Sequence, residues 1–149
     1  ALLAAERSRD PGVGIVITGA EEFGLVGARV FARTDRARLE GTEVVNLDTI
    51  DDRGRLHLVA HDARGLALAG RLGPALGRLG VPLRIRRLPL GILTDSLPLA
   101  RAGARAVTVA RLDWSTLRRI HTPGDTLDGF SLETATRLAE LVADGLPSP

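Results

Sequence analysis

The chain has 149 residues, 44% of them hydrophobic, which suits one domain with a sizeable core and excludes a disordered polymer. It has no cysteine, so disulfides and thiolate metal sites are excluded and the redox compartment stays open; no apolar run reaches the length of a membrane span. Net charge is only +2 although the pI is 10.7; every basic residue is arginine, so the titration curve crosses zero late and the pI carries no signal for nucleic acid.

The first residues, Ala1-Leu2-Leu3-Ala4-Ala5-Glu6-Arg7, lack the basic leader and long apolar stretch of a signal peptide. They read as the tail of an amphipathic helix over residues 1–8, and the expectation is a chain continued from an upstream part. Asp10-Pro11-Gly12 predicts a turn. Residues 13–18 form a nearly continuous apolar run, the pattern of a buried strand. Residues 21–32 then space Phe23, Val26, Val30 and Phe31 as one helical face. Residues 42–47 read as a strand ending at Asp48. After the turn signal Asp51-Asp52-Arg53-Gly54, residues 55–60 read as a hairpin partner or the next strand.

Residues 65–79 predict a helix with Leu72, Leu76 and Leu79 on one face, stopped by Gly80. Gly70, Gly73 and Gly77 on it suggest close packing. Residues 83–88 alternate weakly as a strand, 95–102 predict a short helix, and 106–110 another buried strand. Ser131 is placed to cap a last helix with Leu132, Ala135, Leu138 and Val142 facing inward. Aromatics make up 3%, so Leu, Val, Ile and Ala must build the core. The alternation of strands and helices predicts an α/β fold: three layers, α/β/α, around a mostly parallel or mixed sheet. No repeat or linker divides residues 1–149.

In an open α/β sheet, ligands bind beyond the carboxyl ends of the strands. Glu21 and Glu22, Asp48 and His121 all fall at such ends. Carboxylates and an imidazole converging there suit a cation such as zinc. Adjacent glutamates at a helix start point about 100° apart. One can bind metal while the other faces a metal-bound water as general base and then acid.

Three segments carry a resemblance. Gly19-Ala20-Glu21-Glu22-Phe23-Gly24-Leu25-Val26-Gly27 resembles the Glu-Glu motif of the di-zinc aminopeptidase family, whose members include bacterial leucine aminopeptidases, glutamate carboxypeptidase and glutaminyl cyclase. Val45-Asn46-Leu47-Asp48 is similar to its next metal motif, and His121-Thr122-Pro123-Gly124-Asp125-Thr126 to its last. Each is weak alone; in this order, over residues 1 to about 145, they are specific together. The resemblance implies a zinc exopeptidase acting on the N-terminal bond of a peptide substrate. Glu21 would be the general base, Glu22 and His121 ligands of one zinc, and Asp48 a ligand of the second. Asp125 would fix the loop. Thr94-Asp95-Ser96 sits where relatives carry Ser-Asp-His near the substrate pocket; Ser96 departs from that pattern.

The family's earlier His-x-Asp motif and the Asp that bridges its two metals are not matched here. Two ligands on one zinc and one on the other fall short of the usual set, so the expectation for this chain alone is weak or absent zinc binding and no peptidase activity. Two alternatives remain: a single-zinc acyltransferase like glutaminyl cyclase, and a non-catalytic interaction domain like that of the transferrin receptor. A sheet edge left open by the unmatched part would offer a surface for a homo-oligomer. Relatives are often secreted or membrane-tethered, which the residues themselves neither support nor oppose.

Taken singly, these residues have plainer explanations. Glutamates at a helix start serve its dipole, Asp48 suits a turn, and His121 a hydrogen-bonded loop. His57 and His61 read as surface or structural. Arg84, Arg86 and Arg87 read as a solvated strand face, and no aromatics interleave with them to bind single-stranded nucleic acid. Gly12, Gly14 and Gly19 precede or flank a strand and do not open a helix after one, so they form no dinucleotide fingerprint. No Gly-x-Ser-x-Gly elbow occurs. Trp114 suits a pocket wall and ordinary packing equally well.

Overall fold

The computed structural model describes residues 12–50, 53–88, 93–126 and 132–143. In chain order its elements are α1 (Val26–Thr34), α2 (Arg36–Leu39), β1 (Glu43–Ile50), β2 (Arg55–Ala60), α3 (Ala63–Gly77), β3 (Leu83–Arg87), α4 (Ser96–Arg101), β4 (Arg105–Leu112), α5 (Trp114–Arg119) and α6 (Glu133–Ala143). The expectations for residues 1–8, Ser131 and the C-terminal tail, and most of the turn at residues 10–12, lie outside the described residues.

The four strands form one mixed sheet in the order β1-β4-β2-β3. β1 runs parallel to β4, β2 parallel to β3, and β2 antiparallel to β4. β2 is therefore the next strand across β4 and not a hairpin partner of β1. Side chains alternate across β4. Val107 and Val109 join Leu56 and Leu58 of β2 under Leu68, Leu72 and Leu76 of α3 and Leu138 of α6. Ala106 faces the other way, with Val44 of β1, Leu99 and Ala100 of α4 and Ala32 of α1. Helices thus cover both faces, and the architecture is the expected three-layer α/β/α.

Local chemistry explains α3. The Asp62 side chain accepts from the Gly65 N–H at 2.8 Å as an N-cap. Leu72, Leu76 and Leu79 are all buried, and Gly80 leaves the helix with φ 70°. Of the helical glycines, Gly73 lies close to a neighbour: a Cβ there would sit 3.2 Å from Ile85. Gly70 and Gly77 face open space, so the close-packing expectation fails for them. The position of α3 that cannot carry a side chain is Gly65, whose Cβ would lie 2.2 Å from the Ala106 carbonyl oxygen. That approach seats α3 on β4.

Three expectations need correction. Residues 13–18 form no strand, and Val13, Val16 and Ile17 are exposed; an apolar run becomes a strand only when a neighbour takes its hydrogen bonds. Of the expected face of α1, Phe31 packs against the core but Phe23, Val26 and Val30 are exposed; the buried positions are the small residues Ala28 and Ala32, which let α1 pack closely on α4. Leu132 is exposed, and the buried residues of α6 are Thr134, Leu138 and Ala139. The arginines of β3 are solvated as expected.

Gly65→Ala should lower stability by about 1–3 kcal/mol or more, the cost of overpacking. Gly70→Ala should raise it by up to about 1 kcal/mol through helix propensity alone. Urea unfolding followed by circular dichroism checks both.

Candidate metal centre

The Glu21–Glu22 pair does not open a helix. Residues 21–25 form a turn ahead of α1, with the Gly24 and Leu25 N–H groups both donating to the Glu21 carbonyl oxygen at 3.0 and 2.8 Å. Ala20, Gly24 and Leu25 have positive φ of 55°, 88° and 60°, which keeps these residues out of the helix. The first turn of α1 holds no acidic residue. The dipole explanation therefore loses its geometry, and so does the 100° argument for splitting the two glutamates.

Asp48 lies within β1, not at its end. The register between β1 and β4 shifts between Leu47 and Ile50, and Thr49 in that bulge has φ 49°. A bulge re-aims the side chains beside it. The Thr49 hydroxyl donates to the Asp48 carboxylate at 3.0 Å.

His121 follows α5, a helix that the spacing of apolar residues does not show. Its signal is Asp113-Trp114-Ser115-Thr116: the Asp113 carboxylate accepts from the Ser115 and Thr116 N–H groups, and Thr116 bonds back in a capping box. The Ser115 hydroxyl foremost, then these N–H groups, hold the Asp113 carboxyl down to about 2. Beyond α5 the chain turns tightly. The Thr122 hydroxyl donates to the Arg119 carbonyl at 2.6 Å, the Asp125 N–H to the Thr122 carbonyl at 3.0 Å, and the Asp125 carboxylate faces the Arg119 guanidinium at 3.6 Å. His121 itself has φ 63°.

These loops meet. His121 Nδ1 lies 2.9 Å from Glu22 Oε1, with both side chains largely exposed. Glu21 is within electrostatic reach of Glu22, Asp48, Asp95 and His121. Partial burial foremost, then the three other carboxylates, push its carboxyl above the ordinary 4.5, while His121 opposes them. All four expected residues thus gather at one end of the sheet. Among the described residues, the non-glycine residues with positive φ, Ala20, Leu25, Thr49 and His121, all lie at or beside these four.

The donors are of the type zinc prefers, but among the described residues no three metal-ligating side chains group closely enough to hold an ion. Trp114, 79% exposed, lines an open cleft of about 720 Å³ with Ser115 and Arg118 and is no part of the core. No helix among the described residues is long and apolar enough to cross a membrane.

The model of peptidase family M28 matches residues 1–146. The chain belongs to that family. Its fold is similar to an aminopeptidase from Aneurinibacillus sp. strain AM-1, with a TM-score of 0.63 and 26% identity over 85% of this chain. The chain spans 30% of that protein's length. A search of curated proteins found no match. Family M28 membership joins the three motifs, read separately in the sequence, into one matched region.

Glu21→Gln should stabilise the chain near neutral pH. The folded state holds the Glu21 proton more tightly than the unfolded state, so the stability linked to it is complete below about 4.5 and is lost as pH rises through the folded value. Urea midpoints of the variant and the parent sequence should differ at pH 7 and converge near pH 4.

Proposed function

We propose that the chain carries part of the catalytic site of a zinc-dependent aminopeptidase, an exopeptidase that hydrolyses the N-terminal bond of a peptide substrate. The Glu22–His121 contact is the observation that carries this reading. It joins two motifs from distant parts of the sequence through the two side chains expected to share a metal. Glu22 and His121 would hold one zinc and Asp48 a second. Bound zinc would polarise the scissile carbonyl and acidify a water.

Glu21 would take the proton of the attacking water and return it to the leaving amine. A carboxyl raised above its ordinary value suits that task, since a general base works best when its pKa approaches the working pH. Asp125 would hold the His121 turn through Arg119. The outer strand β1, unpaired on its far side among the described residues, offers an edge for self-association.

Zinc prefers three or four ligands, and this chain places two in contact. After loading with zinc and extensive buffer exchange, it should retain well under one zinc per chain, and His121→Ala should change that little. A full zinc per chain, lost in His121→Ala, would show further ligands and make peptidase assays on this chain worthwhile. In a longer polypeptide that holds this chain and hydrolyses peptides, Glu21→Gln should lower kcat by about 10²–10⁴ while zinc content stays constant. Cyclisation of an N-terminal glutamine peptide in place of hydrolysis would favour the acyltransferase alternative.

A further inference from the structure

Asp95 stands at the N-cap of α4, where an aspartate ordinarily accepts a hydrogen bond from its own helix. It makes no such bond. It is only 9% exposed, and its Oδ1 has no hydrogen-bond partner among the described residues. The other oxygen, Oδ2, accepts a hydrogen bond from the Thr18 hydroxyl, 77 residues away in sequence. A buried carboxylate with so few donors costs stability, and the fold of α4 gives no reason for it.

The backbone on both sides of Asp95 is held rigidly. Thr94 and Ser96 are buried, and their hydroxyls close a triangle with the Thr108 hydroxyl of β4 at 2.8, 2.8 and 3.1 Å. Asn46 of β1 donates to Thr108 at 3.2 Å, and His61 Nε2 meets Thr94 at 3.1 Å. The two neighbours of Asp95 are thereby fixed to β1, β4 and the residue that follows β2. Thr18 is different, because residues 13–20 belong to no strand and gain no ladder bonds. Thr18 lies three residues before Glu21. Three further bonds follow it, all to the turn and the start of α1 and none to the sheet: the Phe23 and Val26 N–H groups donate to the Ala20 carbonyl at 3.3 and 3.2 Å, and the Gly27 N–H to the Gly19 carbonyl at 3.0 Å.

We propose that Asp95 is a positioning residue: through Thr18 it ties the otherwise unladdered segment 13–20 to the sheet and so places the Glu21–Glu22 turn opposite His121. The functional weight of this tether rests on Glu21 and Glu22 being base and ligand as proposed above. The tether itself needs no metal to be tested.

The experiment is amide hydrogen exchange on the whole chain, with the His121 ring resonances recorded at one fixed pH. Thr18→Val should speed exchange at Gly24, Leu25 and Gly27 about tenfold or more, the loss of one hydrogen bond to a charged acceptor, and should shift the His121 resonances. Thr18→Ser, which keeps the hydroxyl, should match the parent sequence in both. Asp95→Ala should copy Thr18→Val at the turn. The Val107 and Val109 amides of β4 should keep their protection in Thr18→Val.

Unchanged exchange at the turn in Thr18→Val would overturn the proposal. So would failure of Thr18→Ser to restore it. Equal acceleration in β4 and the turn would also overturn it, since the bond would then support the core in general. Should Asp95→Ala unfold the chain, the Thr18 pair decides alone. A negative zinc result leaves the exchange outcome intact, and a negative exchange result leaves the zinc reading intact.

Discussion

Strand β4 must be buried on both of its faces, and most of the molecule follows from that requirement. Residues 106–110 are buried without interruption, so each successive side chain needs cover from a different layer. The larger ones, Val107 and Val109, are met by the leucines of α3 and β2. The small Ala106 allows α1 and α4 to approach the other face, and it offers the carbonyl that Gly65 must clear. With β1 parallel on one side and β2 antiparallel on the other, the carboxyl ends of β1 and β4 lie together. Asp48, in the bulge near the end of β1, and His121, in the chain beyond β4, therefore come to the same edge of the fold.

What the packed centre secures, the site uses up. Glu22, Asp48 and Asp95 all raise the Glu21 carboxyl and only His121 opposes them. The backbone is also least relaxed there. Thr49, a β-branched residue in the left-handed region, is a conformation seldom adopted without compensation. Its hydroxyl bond to Asp48 provides a small part of that compensation.

Much of this was legible in the sequence. Residue type and order singled out Glu21, Glu22, Asp48 and His121 as candidates, because a motif can be read whatever the local backbone does. Strands β2, β3 and β4 and helix α3 also showed themselves, since burial leaves runs and spacings that are hard to mistake. Other features were hidden for physical reasons. Spacing alone extended a helix back to Glu21, whereas Gly24 and Leu25 turn the chain before α1. Bulky residues drew attention to Phe23, Val26 and Val30, while the packed face is Ala28 and Ala32 with Phe31 beside them. Helix α5 has little apolar pattern and announces itself only through the cap at Asp113. The Thr18–Asp95 bond, made between side chains 77 residues apart, has no local trace at all.

Trp114 has a consequence of another kind. It is the sole tryptophan in a chain without tyrosine, and it stands in water on the outside of a short helix. Its emission starts from a solvated indole in the native state and ends with a solvated indole in the unfolded one. Intrinsic fluorescence is therefore nearly blind to the melting of this protein's core, yet it is well placed to respond to whatever settles against α5. A single residue thus makes the chain optically silent about its own folding and responsive to company at one patch of its surface.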